Sequence, residues 1–155
     1  MKRIQLALVA AIALIILLTL GKSVVSMPGL WEASVHQTRA FRWIPFGDFF
    51  RYSSPIIPLY YLVSNVLLFV PLGWALRGLG HRHPVLFGFG VSVAIEVLQF
   101  VLASGFSDLN DVLQNTVGTL LGVWLFPRTG RWFATLIVCA LAGVLLLYVG
   151  SFLLA

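Results

Sequence analysis

The strongest constraint on the fold of this chain is a series of long apolar stretches separated by shorter polar segments. The stretches cover residues 4–20, 58–76, 84–103, 108–126 and 132–154. Each is close to the ~20 residues that an α-helix needs to cross the hydrocarbon core of a membrane. Only 10% of the residues are charged, whereas an average soluble domain has about 25%. The sequence therefore predicts an all-α, polytopic integral membrane protein with about five transmembrane helices.

A single membrane domain over residues 1–155 is expected, because the length suits one domain and no internal repeat is visible. The first stretch has an alternative interpretation as a cleaved signal peptide, since it follows two cations and precedes a weak cleavage site at Val24, Val25 and Ser26. The length of this apolar run and the position of Lys22 favour a retained helix.

The distribution of cations indicates the orientation of the chain in the membrane. If five helices cross, the amino-terminal side holds six cations and the opposite side holds four. The six are Lys2, Arg3, Arg77, Arg82, Arg128 and Arg131, and the four are Lys22, Arg39, Arg42 and Arg51. The positive-inside rule then predicts a cytoplasmic amino terminus and an external carboxyl terminus, in the bacterial cytoplasmic (inner) membrane. The same cations account for the net charge of +5 without a nucleic-acid partner.

The segment 21–57 is the one long connection between predicted helices. It interleaves aromatic residues with Arg39, Arg42 and Arg51, a composition typical of a segment in the headgroup zone of a membrane. Its aromatic residues include Trp31, Phe41, Trp43, Phe46, Phe49, Phe50 and Tyr52. We expect an extracytoplasmic interfacial loop that covers the outer leaflet, with the three arginines contacting anionic headgroups. An interfacial anchor without a ligand is the alternative.

Polar side chains of three predicted helices converge on one depth. Asn65, Glu96 and Asn115 each lie seven residues from the outer end of their stretch, which is about 10 Å along a helix. Glu96 is the most informative of them, because an ionisable group at the membrane centre costs at least about 2.5–3.5 kcal/mol. A ligand-binding pocket near the outer surface is therefore predicted, lined by Asn65, Glu96, Gln99, Asp108, Asp111 and Asn115.

These residues also have structural interpretations. Asp108 is placed to cap the helix that follows it, with Asp111 in the first turn near the helix dipole. The amides can join helices by hydrogen bonds alone. Gly118 and Gly122 continue the same stripe at helical spacing and predict a close helix contact. We expect its partner to be the Glu96 face of the preceding helix.

No cofactor and no metal site is predicted. The single cysteine, Cys139, lies within an apolar run, which excludes a disulfide framework and a cysteine-based metal site. His81 and His83 flank Arg82 without a nearby carboxylate, a pattern more typical of a solvated loop than of a metal site. The sequence also lacks a Gly-rich phosphate loop, a His-Glu-x-x-His helix and a Gly-x-Ser-x-Gly elbow.

Three motifs together resemble those of the VanZ-like membrane proteins. They are Asn-Val-Leu-Leu-Phe-Val-Pro-Leu-Gly at 65–73, Glu-Val-Leu-Gln at 96–99, and Asp-Leu-Asn-Asp-Val-Leu-Gln-Asn-Thr-Val-Gly at 108–118, followed by Gly122. Ile44, Pro45 and Phe46 also resemble the family, and the resemblance covers about residues 41–126. It implies a role in the cell envelope, because members of this family are associated with resistance to teicoplanin and related lipoglycopeptides. The resemblance supplies no reaction.

One position departs from the family pattern. That pattern usually carries an arginine three residues before the first aspartate, and here Gly105 stands in its place. A charge partner for Glu96 or Asp111 is therefore missing from the motif, and any activity that needs this arginine is in doubt. Arg42 or Arg51 is a candidate substitute.

The sequence is compatible with three functions. The favoured one is binding of an amphiphilic envelope ligand, such as a membrane lipid, a lipid-linked wall precursor or a lipoglycopeptide such as teicoplanin, in the polar pocket. The second is an intramembrane hydrolase or transferase that acts on a lipid headgroup, with Glu96 as candidate general base and Asp111 or Asn115 orienting water or substrate. The third is a small proton-coupled transporter, for which a chain of this length would need a homo-oligomer.

Overall fold

The computed structural model describes residues 1–27, 31–47, 53–130 and 132–154. Of these described residues, 76% are helical. The helices described are α1 (Lys2–Thr19), α2 (Ala33–His36), α3 (Ile56–Gly78), α4 (Pro84–Leu102), α5 (Leu109–Leu125) and α6 (Trp132–Leu154). Two short 3-10 helices, Gly21–Ser23 and Phe126–Arg128, follow α1 and α5.

Within the described residues, four helices are long and apolar enough to cross a membrane, namely α1, α3, α4 and α6, so the chain is a membrane protein. The fourth predicted helix forms at the expected place as α5, but its 17 residues make it shorter than the other four. Its length corresponds to about 25 Å. The predicted stretch 108–126 is shortened because Asp108 ends a strand and Phe126 begins a 3-10 helix.

A two-stranded parallel sheet corrects the prediction of an all-α fold. Strand β1 (Arg39–Arg42) pairs with β2 (Gly105–Asp108), in a register that sets Arg39 opposite Gly105 and Arg42 opposite Asp108. β1 belongs to the connection predicted to be an interfacial loop, and β2 fills the link between α4 and α5. Each strand supplies hydrogen-bond partners for the backbone N–H and C=O groups of the other. Non-helical backbone near the hydrocarbon needs such partners, because lipid chains offer none. The sheet ties the connection to the helices.

The apolar core lies where α1 and α6 pack on the carboxyl-terminal half of α3. Trp74 is its largest fully buried side chain, and its ring centroid lies 5.2 Å from that of Phe126 and 5.3 Å from that of Phe133. Its indole Nε1 donates a hydrogen bond of 2.6 Å to Thr129 Oγ1. The other buried residues here include Ala7, Ala10, Ala11, Leu14, Ile15, Phe69, Leu72 and Leu76. Small side chains on α1 allow this helix to pack closely on α3.

The predicted glycine contact exists, but its partner is α3 rather than α4. A Cβ added at Gly118 would collide with the carbonyl oxygen of Val66, and one added at Gly122 would collide with that of Val70. The prediction of the partner helix was wrong because the polar stripe of α5 is wide enough to contact both α3 and α4. Its glycine edge faces α3, whereas the edge carrying Thr119 meets Gly88 of α4.

Candidate functional site

Glu96 lies buried on the inner face of α4, with 7% of its surface exposed. Its Oε2 accepts a hydrogen bond of 2.7 Å from the backbone N–H of Asp108. The hydroxyl of Ser107 donates a further bond of 2.7 Å to the backbone carbonyl of Glu96. The acid therefore holds the junction between β2 and α5 against α4. The sequence placed Glu96 correctly in the interior but indicated neither of these two bonds.

Asp108 caps α5, as one of its two interpretations predicted. Its Oδ1 accepts a hydrogen bond of 2.8 Å from the backbone N–H of Asn110. This satisfies one of the donors that the first turn of a helix leaves without a partner. The capping prediction is confirmed, and it leaves the ligand-binding role of Asp108 as a separate hypothesis.

Asn65 joins α3 to α5. Its half-buried side-chain Nδ2 donates to Asp111 Oδ1 at 2.6 Å and to Gln114 Oε1 at 3.0 Å. Asp111 is also close enough to Glu96 for an electrostatic interaction. Gln114 did not stand out in the sequence, although it lies three residues beyond Asp111, a spacing that places both on one side of a helix.

Asn115 joins α5 to α4 instead. Its Nδ2 donates a hydrogen bond of 2.9 Å to the buried Ser92 Oγ. Among the described residues, Asn115 Oδ1 and Gln99 Oε1 are buried without a hydrogen-bond partner. Asn65, Glu96 and Asn115 thus all face other helices, but their hydrogen bonds belong to two different helix contacts. Asn65 belongs to the contact between α3 and α5, and Glu96 and Asn115 belong to the contact between α4 and α5.

Lys22 supplies a cation that the sequence did not assign to the site. It lies in the 3-10 helix after α1, close enough to Asp111 for electrostatic attraction. Its Nζ also stands 5.6 Å from the ring centroid of Trp31. Burial, and to a smaller extent the Lys22 ammonium, lower the pKa of His36 in α2, which favours the neutral imidazole. In the sequence Lys22 served as a marker of topology and as an argument for a retained first helix, since nothing local connects it to Asp111.

The arginines of β1 contact aromatic side chains at the same end of the bundle. Arg39 donates a hydrogen bond of 3.0 Å from Nη2 to the backbone carbonyl of Val101, and its guanidinium lies 5.7 Å from the Phe100 ring centroid. The Arg42 guanidinium lies 4.2 Å from the Phe106 ring centroid. Five residues used in the sequence-based predictions lie outside the described part of the chain. They are Phe49, Phe50, Arg51, Tyr52 and Arg131.

Gly105, where the resemblance leads us to expect an arginine, has a backbone conformation that favours glycine. Its φ is +145°, a value that residues with a side chain rarely adopt. Its N–H donates a hydrogen bond of 3.3 Å to the carbonyl of Thr38, just before β1. The glycine therefore starts the strand pairing, and an arginine at position 105 would strain it.

The connection between α1 and α3 presents apolar side chains outward. Phe41, Trp43 and Ile44 are each at least 60% exposed. The backbone N–H of Phe46 donates a hydrogen bond of 2.7 Å to Asn110 Oδ1, which fixes this segment to the start of α5. Asn110 is a further residue that sequence reasoning missed, because its partner is distant in the chain.

A groove of about 600 Å³ opens between α4, α5 and β1. Its polar residues are Glu96, Ser107 and Asp108. The remaining walls are apolar and come from Phe41, Phe89, Val93, Val97, Phe100, Leu109 and Val112. Several of these side chains, among them Phe89 and Val97, are exposed on the outside of the bundle. The groove thus opens sideways, with three buried polar residues in an otherwise apolar wall.

A second cavity of about 540 Å³ lies at the opposite end of the bundle, lined by Lys2, Arg3, Trp74 and Thr129 among others. Within the described residues, no group of three or more His, Cys, Asp or Glu side chains could hold a metal ion. The chemistry available at the groove is therefore that of carboxylates, hydroxyls and apolar surface.

Comparisons with known proteins agree with this architecture. The family described as VanZ/LLP1 matches residues 8–134, which is most of the chain. The protein named Protein VanZ from Enterococcus faecium is 35% identical over 74 residues, covering 45% of this chain. The chain matches 46% of the length of that relative. No solved structure matches the chain significantly.

Proposed function

The chain belongs to the VanZ/LLP1 family, and on that premise we propose that it binds an amphiphilic ligand of the bacterial cell envelope. The binding site is the groove between α4, α5 and β1. The candidate ligands are a membrane lipid, a lipid-linked wall precursor and a lipoglycopeptide such as teicoplanin. The association of the family with teicoplanin resistance supports this choice of ligand classes.

The groove is the observation on which the proposal rests. Its apolar walls suit a hydrocarbon chain, and its few polar groups can orient a headgroup, which is the usual composition of a small-molecule site. Its volume of about 600 Å³ lies within the range of such sites, about 300–1,000 Å³. Because the groove opens toward the side of the bundle, a ligand can enter from the lipid phase without crossing water.

The orientation of the chain belongs to the same proposal. In it the protein is a multi-pass protein of the cytoplasmic membrane, α5 crosses together with α1, α3, α4 and α6, the amino terminus is cytoplasmic and the carboxyl terminus is external. The distribution of cations supports this orientation. The exposed Phe41, Trp43 and Ile44 beside β1 support an interfacial position for this end of the bundle. The groove then opens in the outer leaflet.

An enzymatic role has less support from the geometry. Ser92, one turn before Glu96 on α4, is fully buried, and its Oγ accepts a hydrogen bond from Asn115. Glu96 Oε2 accepts a hydrogen bond from the Asp108 backbone. A general base must lie within hydrogen-bond reach of the proton that it removes. The contacts of Glu96 and Ser92 are instead those of residues that hold helices together.

A pair of tryptophan substitutions on α4 tests the groove. Val93 lines it, whereas Leu98 lies on α4 outside it and is comparably exposed, at 43% against 37%. Val93→Trp should fill the groove and lower photo-crosslinking of a phospholipid with an acyl-chain diazirine at least tenfold. Leu98→Trp should crosslink like the wild type. In a teicoplanin-sensitive host, only the Leu98→Trp variant should then reproduce the tolerance that the wild type gives.

Membrane abundance of the three proteins, measured by immunoblot, is the control for this experiment. Equal crosslinking of Val93→Trp and Leu98→Trp at equal abundance would rule out the groove as the binding site. Loss of tolerance in both variants would indicate a general effect of bulk on α4, which would also count against the proposal.

A further inference from the structure

We propose that the groove selects a membrane phospholipid whose headgroup carries a primary ammonium beside its phosphate. This inference rests on the proposed function and adds the identity of the headgroup. The inference rests on two residues of opposite charge type, an acid that lines the groove and a cation beside it, about one helical turn apart along α4.

The acid is Glu96, which lines the groove and whose Oε2 accepts a hydrogen bond from the Asp108 backbone. Among the described residues, the one hydrogen bond to its carboxylate is accepted by Oε2, from Asp108 N–H. The residue is 7% exposed and lines the groove. A buried carboxyl group in such surroundings can accept N–H donors, and an ammonium placed beside it favours its charged form, because the surrounding medium screens charge poorly. An ammonium group fits this position.

The cation is Arg39, which lies in β1 two residues before the groove residue Phe41. Its guanidinium lies over Phe100, and Phe100 and Phe41 both line the groove. One of its nitrogens donates to the Val101 carbonyl, which leaves other N–H donors of the guanidinium for a ligand. Guanidinium groups bind phosphate through paired N–H donors. A phosphate fits this position.

The spacing of the two charges matches one headgroup. Phe100, under the Arg39 guanidinium, lies one helical turn above Glu96, which is about 6 Å along α4. A phosphate and an amine joined by two carbons span a comparable length. The headgroup would thus lie along the outer turn of α4, with its phosphate toward Arg39 and its ammonium toward Glu96.

The apolar part of the groove continues from Glu96 toward the middle of the bundle. Val93 and Phe89 lie three and seven residues before Glu96 on α4 and line the groove with it. Phe89 therefore lies about 10 Å below Glu96 along the helix axis. An acyl chain placed here would run in the direction of the surrounding lipid chains, as required of a phospholipid that remains in its leaflet.

Competing headgroups lack one of the two interactions. A choline headgroup keeps the positive charge but has no N–H to donate to Glu96. A glycerol headgroup has hydroxyl donors but no positive charge, so its phosphate can bind Arg39 while Glu96 is left without a cation. The ethanolamine headgroup satisfies both charged residues, so it should be retained most strongly.

Native mass spectrometry of the detergent-purified full-length chain can test this selection. The probes are dioleoyl phospholipids with ethanolamine, choline or glycerol headgroups, supplied in equal amounts. The wild type should retain the ethanolamine lipid at least fivefold more than either of the others. Glu96→Gln should lose this preference but still bind lipid, because its amide oxygen can accept the bond from Asp108 N–H. Arg39→Gln should lower retention of all three lipids.

The outcomes separate this inference from the proposed function. Equal retention of the three lipids by the wild type, with retention abolished by Val93→Trp, would overturn the headgroup selection and leave the groove as a lipid site. An ethanolamine preference that persists in Glu96→Gln would also overturn it. If Val93→Trp and Leu98→Trp retain lipid like the wild type, the groove is not the site and the proposed function fails. Circular dichroism and thermal unfolding show whether Glu96→Gln keeps its fold.

Discussion

At the scale of single residues, the backbone conformation of Gly105 leads to a specific prediction about stability. Its φ of +145° means that any side chain at this position adds backbone strain, at a cost of about 1–3 kcal/mol. We expect Gly105→Ala and Gly105→Arg both to lower the unfolding temperature of the purified protein in detergent. Restoring the arginine of the family pattern should therefore not stabilise this chain, although it adds a cation near two acids.

The neighbouring Ser104 provides the control for this prediction. Its hydroxyl makes one long hydrogen bond of 3.4 Å to the nearby Leu102 carbonyl, so Ser104→Ala should leave the unfolding temperature nearly unchanged. An unfolding temperature raised by Gly105→Arg would show that the arginine finds an acid without strain, and the assigned role of the glycine would then be wrong.

Residue roles could be read from the sequence where the interaction is local. The capping of α5 by Asp108 is an example, because a cap involves only the next few residues. The interior position of Glu96 also followed from its surroundings in the sequence. The attraction between Lys22 and Asp111 and the bond from Phe46 to Asn110 did not, since each joins residues that are far apart in the chain.

At the scale of secondary-structure elements, the contact between α3 and α5 is the closest in the bundle. Gly122 faces the backbone of α3, where a Cβ would collide with the Val70 carbonyl oxygen and the Trp74 amide nitrogen. Backbone atoms cannot move aside as a side-chain end can. Gly122→Val should therefore separate the two helices and destabilise the protein by at least about 1–3 kcal/mol, the usual cost of overpacking.

Gly143 in α6 is a matched control, because a Cβ added there meets nothing within 4 Å. Gly143→Val should unfold at nearly the wild-type temperature, whereas Gly122→Val should unfold at a clearly lower one or fail to accumulate in the membrane. Similar stability of the two valine variants, measured by fluorescence-detected size exclusion after heating, would contradict the assigned contact.

The helices were predictable as elements because their length and hydropathy are properties of continuous segments. The two strands were not, since β1 and β2 have only four residues each and pair across a large separation in sequence. The glycines of α5 predicted a close contact correctly. They did not identify α3 as the partner, because one helix face can touch two neighbours and the periodicity is the same for both.

At the scale of the whole molecule, the sheet, the groove and the acids lie at one end of the bundle, and the Trp74 cluster lies at the other. The orientation of the chain in the membrane therefore decides which leaflet the groove faces. If the sheet end is external, the groove serves the outer leaflet, where envelope-directed amphiphiles arrive. If it is cytoplasmic, the same groove would face the inner leaflet.

Cysteine labelling in intact cells decides between these orientations. Cys139 is exposed and is first replaced by alanine. Ser34, in α2, and Arg82, between α3 and α4, are exposed at opposite ends of the bundle and are then changed to cysteine one at a time. Because maleimides react with thiolates in water, Ser34→Cys should be labelled by a membrane-impermeant maleimide in intact cells, and Arg82→Cys only after permeabilisation. The reverse pattern would place the groove in the inner leaflet and remove the outer-leaflet site on which the proposed function depends.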